Sequence, residues 1–142
     1  MLAATALAGV ALLLAACGGG DSTSDHADDF VTQANAVCAA ASDELQKATV
    51  KAGLDPTKAQ LQEFYAQSDK IAQEQLDGLT ALTPPDESAD QVDAYIEGLR
   101  QTLEQSRQDP SSITPAQFQK LADMADAAGL EAECGSGRGA DG

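Results

Sequence analysis

Between residues 30 and 128 the apolar side chains return every three or four positions, and that spacing dictates helices. Phe30, Ala34, Val37, Cys38, Ala41, Leu45 and Ala48 form a first stripe, with Gln33, Asn35, Ser42, Asp43, Gln46 and Lys47 on the opposite face. Leu61, Phe64, Ser68, Ile71, Ala72, Leu76 and Leu79 form a second, which runs on to Leu82. Val92, Tyr95, Ile96, Leu99 and Leu103 form a third; Phe118, Leu121, Ala125 and Ala128, with Met124 beside them, form a fourth. No segment alternates apolar and polar between hairpin signals, so strands are not expected. Amphipathic helices with short connections favour an all-α fold, an antiparallel bundle of three to four helices.

The residues between the stripes mark where the helices begin and end. Asp25, Asp28 and Asp29 sit at the start of the first, where the helix dipole favours acids. Gly53 closes it, and Asp55-Pro56 then reads as an N-cap followed by proline at the first helical position. Pro84-Pro85 stops the second helix, and the third is expected to start near Asp86 and Glu87. Gly98 inside it costs about 1 kcal/mol against alanine and permits a close helix contact. Asp109-Pro110-Ser111-Ser112 is a turn. Thr114-Pro115-Ala116-Gln117 has the form of a capping box, and Gly129 is an αL stop with Leu130 packing back over it. The stripes are short and rich in alanine (28 in the chain), so a thin core is expected, which argues against a sizeable internal pocket.

Composition limits what such a bundle can do. The 142 residues carry 8 Lys and Arg against 23 Asp and Glu, a net charge of −15. Nucleic acid and electrostatic attachment to anionic lipid both need basic patches, and neither is expected. One His and three Cys leave little material for a metal centre or a His-dependent catalytic site.

The first sixteen residues differ from the rest. They carry no charge, and residues 2–14 are an apolar run shorter than the ~20 residues a membrane-spanning helix needs. The run ends in Leu14-Ala15-Ala16-Cys17 and is followed by Gly18-Gly19-Gly20-Asp21-Ser22-Thr23-Ser24, which reads as a flexible tether. This segment resembles the bacterial lipoprotein signal. Leu14, Ala15 and Ala16 match the lipobox positions before the modified cysteine, and Cys17 matches the cysteine itself. The resemblance implies a diacylglycerol thioether on Cys17, cleavage before it, further acylation, and a stable lipid anchor at the extracytoplasmic face of the cell membrane. That signal normally opens with Lys or Arg, which Met1-Leu2 lacks, so basic codons are expected just upstream. The organisation expected is a signal over residues 1–16, lipidated Cys17 and tether over 17–26, a helical domain over 27–135 and a disordered tail over 136–142.

With Cys17 acylated, Cys38 and Cys134 remain. Outside the cytoplasm an even pair is expected to form a disulfide, the alternatives being two free thiols or a metal pair. Such a bridge would close a loop of roughly 100 residues, worth about 4–5 kcal/mol in the chain-entropy account.

Three other constellations have the residue types for chemistry. His26 with Asp25, Asp28 and Asp29 has ligands suited to a metal, but adjacent residues at a helix start cannot all converge on one ion, and a dipole-satisfying helix start explains them better. Tyr65 and Tyr95 could bind haem, yet both lie on or beside apolar stripes, and packing is the better account. Glu63, Asp69, Glu74, Asp77, Asp86, Glu87, Asp90, Asp93 and Glu97 include carboxylates enough for a glycosidase, but they lie mostly on the faces opposite the stripes, as solvated surface does. No nucleophile elbow, phosphate loop or zinc-protease signature occurs, so no catalytic residue, metal ligand or cofactor site is assigned.

Over most of residues 29–135 the chain also resembles small secreted or lipid-anchored proteins of actinobacteria. The likeness rests on Phe30-Val31-Thr32-Gln33-Ala34-Asn35-Ala36-Val37-Cys38, on Leu79-Thr80-Ala81-Leu82-Thr83-Pro84-Pro85 before an acidic helix, and on Gly129-Leu130 ahead of Cys134-Gly135. It implies helices and the bridge and says nothing of mechanism. The expectation is therefore a lipid-anchored, non-enzymatic envelope interaction module. Its alternative is a binding module that delivers a small ligand such as haem or a metal to a membrane transporter.

Overall fold

The computed structural model describes residues 22–136. The signal over residues 1–16, Cys17 and the tail beyond Ser136 lie outside the described residues. Four helices follow one another: α1 Ser22–Ala52, α2 Lys58–Thr80, α3 Ala89–Gln108 and α4 Pro115–Ala127. A short 3-10 turn at Pro110–Ser112 precedes α4, and a five-residue helix α5, Ala132–Ser136, ends the described chain. Neighbouring helices run antiparallel. The end of α1 meets the start of α2 through Lys51 and Glu63, while Gln75 lies against Cys38 further along. The last turn of α3 meets mid-α2 through Arg107 and Asp69, and Gln105 of α3 accepts from Gln117 of α4. The expected all-α bundle is thus the fold.

The core is where the stripes place it. Phe30, Ala34, Cys38, Leu79, Val92, Tyr95, Ala125 and Ala128 form one buried cluster, with Leu130 and Cys134 closing it. Gly98 of α3 allows the close approach its position suggests: a Cβ there would sit 3.1 Å from Leu121 Cδ2 and 3.2 Å from Met124 Sδ. At the end of α4, Gly129 has φ +74°. Leu130 N–H donates to Ala125 O at 2.9 Å and Gly129 N–H to Asp126 O at 2.9 Å, so the helix ends in a Schellman turn with Leu130 folded back into the core.

That turn aims α5 across the gap between α4 and α1, against both of which it packs. Three ties hold it. Cys38 and Cys134 are bridged, with Cα atoms 4.8 Å apart and 96 positions between them in sequence. Tyr95, with no exposed surface, donates its hydroxyl to the Cys134 carbonyl. Asn35 Oδ1 accepts from the Glu131 N–H at 3.0 Å. A Cβ on Gly135 would land on the Ala122 backbone, so only glycine lets α5 lie this close to α4.

The structure also corrects several expectations. Helix α1 takes in Ser22, so it begins inside the segment 17–26 read as tether. The cap of α2 is Thr57 and not Asp55: Thr57 Oγ1 accepts from Gln60 N–H, and Gln60 Oε1 accepts from Thr57 N–H at 2.9 Å. This reciprocal pair satisfies two orphan donors, more than a lone aspartate supplies. Residues 85–88 form a turn, with Ser88 N–H donating to Pro85 O, so α3 starts two residues past Glu87. Asn35 and Ser42, placed on the outer face of α1, are half-buried because α5 and α2 cover that flank. Leu61 and Phe118, placed on inner stripes, are exposed. Arg107 in the last turn of α3 pairs with Asp69, eight residues after Leu61. The first turns of α2 therefore overhang α3 by about 12 Å at 1.5 Å per residue.

Candidate functional site

The overhang and the small stripe residues together leave a hollow. A cavity of about 360 Å³ lies between α1, α2, α3 and α4. Ala41 and Ala72 occupy stripe positions where longer side chains would meet, and their short side chains leave space in the middle of the bundle. Leu45, Ile71, Leu99, Leu103, Ile113 and Leu121 supply apolar walls. The disulfide and Gly135 are among its lining residues, so the same bridge that pins α5 also borders the cavity. Phe64, Tyr65, Pro110 and Phe118 also line it, and they carry its exposed part. Tyr65 is 40% exposed and Phe118 45%, and the Phe64 and Tyr65 rings are tilted against each other with centroids 5.8 Å apart. A thin core was expected to leave no sizeable pocket. Instead it makes one, because four helices held at normal packing distance by larger residues at their ends cannot collapse onto alanines between them.

Ser42, Tyr65, Ser68, Asp69, Gln75, Thr102, Ser106 and Glu133 bring polar groups to the lining. Ser68 Oγ is buried and has no hydrogen-bond partner, the one such side-chain oxygen among the described residues. Thr102 Oγ1 donates to Gly98 O at 2.9 Å and is satisfied. Asp69 at the rim receives Arg107 Nε at 2.8 Å, an ion pair that also raises the Arg107 pKa. No Lys, Arg or His of the described residues lines the cavity. Sequence reasoning put Ser68 on the second stripe but not in a functional role. A lone hydroxyl between Phe64 and Ile71 on an apolar face was the available signal.

The residues singled out earlier are dispersed. His26 and Asp29 line a wider and more polar hollow of about 640 Å³, opposite Pro84, Asp86 and Glu87, and Asp25 and Asp28 do not line it. No group of three His, Cys, Asp or Glu among the described residues comes together as metal ligands would. Tyr65 lines the apolar cavity, whereas Tyr95 is committed to Cys134, and its burial pushes its pKa far above the ordinary tyrosine value. Four of the acids are engaged at the surface. Glu63 pairs with Lys51, Glu74 with Lys70, Glu97 with Arg100, and Asp77 accepts from Gln73. Hydrogen bonds from Gln101 and Arg100 hold Glu97 below its ordinary pKa, and the Ser111 hydroxyl and N–H do the same for Asp109. Both shifts run opposite to the raised value a general acid needs. No protein-family model matches the chain, and no curated protein or solved structure is significantly similar to it.

Proposed function

We propose that the chain is a non-enzymatic binding module, held by a lipid on Cys17 at the extracytoplasmic face of the cell membrane, that takes a small molecule into the cavity between α1 and α4. The cavity carries this reading. Its volume falls in the range of small-molecule sites, roughly 300–1,000 Å³, and it combines apolar walls with a few polar groups, among them Ser68 Oγ, the one buried side-chain oxygen without a partner among the described residues. A bundle serving only as a spacer has no use for a hollow whose every missing contact lowers its stability. The lipobox residues Leu14, Ala15 and Ala16 support the anchor, and the anchor would put the module beside a membrane transporter that could receive the ligand.

The exposed Tyr65, Phe118 and Leu61 favour a second reading, docking of an envelope protein over the same end of the bundle. Two measurements test these statements. The protein is extracted from its native membrane, and its organic extract is searched by mass spectrometry. A stoichiometric small molecule supports the first reading, whereas a co-purified protein with no small molecule supports the second. Cys17→Ala should move the protein out of the detergent phase; unchanged partition would refute the lipid anchor.

A further inference from the structure

Resting on that reading of the cavity, we infer that its ligand is an uncharged molecule with a hydrocarbon body and one hydrogen-bonding group, which the Ser68 hydroxyl receives. The walls fix the body. Leu45, Ile71, Leu103 and Leu121 offer dispersion contact and no hydrogen bond, so whatever fills the middle of the cavity is apolar. Ser68 fixes the polar group. A buried hydroxyl with no partner is costly to keep, and a ligand oxygen or nitrogen beside it relieves that cost. Thr102 is the weaker candidate, because its hydroxyl proton is already given to Gly98 and it can only accept, and the hydroxyls of Ser42, Tyr65 and Ser106, which also line the cavity, are not buried without a partner as Ser68 Oγ is.

The electrostatics fix the charge. An anion entering the cavity would lose water and find no cationic side chain among the lining residues, and it would first cross the field of a chain at −15. That excludes carboxylates and phosphates, the propionates of haem with them. A cation would have only Asp69 and Glu133 to turn to. Asp69 is held by Arg107, and Glu133 is exposed to water, where its charge is screened. Only a neutral molecule enters without leaving a charge unpaired.

Four probes separate these statements: 1-octanol, octanoate, octylammonium and benzene, titrated into the isotope-labelled full chain carrying Cys17→Ala and prepared without detergent. Amide shifts in the nuclear magnetic resonance spectrum are the readout. 1-Octanol should shift the amides of Ser68, Ala72 and Leu103 saturably, with octanoate and octylammonium weaker by about tenfold or more. Ser68→Ala should weaken 1-octanol about fivefold to tenfold and leave benzene unchanged, since benzene makes no hydrogen bond there. Octanoate or octylammonium binding as tightly as 1-octanol would overturn the selection of neutral molecules, and an unchanged 1-octanol affinity in Ser68→Ala would overturn the role of the hydroxyl; both would leave the cavity itself a ligand site. Failure of all four probes to shift those amides would overturn the cavity reading beneath them.

Discussion

Tyr95 is the residue whose surroundings decide most. Its ring fills the centre of the core and its hydroxyl ties the C-terminal helix through the Cys134 carbonyl. Tyr95→Phe should cost about 1–3 kcal/mol in urea unfolding, because it leaves that carbonyl buried and unpaired. The same burial raises the tyrosine pKa. Below about pH 10 the phenol is neutral in both folded and unfolded chains and the fold keeps its full stability; above it the unfolded chain ionises first, and stability falls as the pH rises toward the folded value. Alkaline unfolding monitored by circular dichroism should therefore begin near pH 10 and be shallower in Tyr95→Phe. The position of Tyr95 on a stripe was legible in the sequence. Its partner was not, because a backbone carbonyl 39 positions away leaves no mark in residue type.

At the scale of elements, the four helices and both glycine stops, Gly53 and Gly129, follow from periodicity and from the left-handed φ that glycine allows. The capping box at Thr114 was equally legible, Gln117 Oε1 accepting from the Thr114 N–H at 2.7 Å. The start of α2 was misread because Asp55-Pro56 and Thr57 with Gln60 are both plausible caps, and only the reciprocal bonding decides between them. Thr57→Ala should cost about 1 kcal/mol and Asp55→Ala less than about 0.5 kcal/mol, compared by urea midpoints at equal slope. Equal losses would return the cap to Asp55. Helix α5 was not legible: five residues are too few to show a period, and its place depends on Asn35, Ala122 and Tyr95, each on a different helix.

At the scale of the molecule, one bridge does two things: it ties α5 to α1 and it lines the cavity. Replacing Cys38 and Cys134 together by serine should cost about 4–5 kcal/mol, most of the stability of a domain this size, seen as a large drop in the thermal midpoint. The bridge was readable from the cysteine count once Cys17 is set aside on its resemblance to a lipoprotein signal. The cavity was not, since a short side chain on a stripe signals thin packing and empty space alike, and only the distance between opposing helices tells them apart. That hollow is the centre of the account, and native mass spectrometry of the protein purified from its native host tests it most directly. The wild type should carry a bound mass, and Ala72→Phe, which fills the cavity while keeping its helical circular dichroism, should carry none; the same adduct on both proteins, or none on either, would contradict the account.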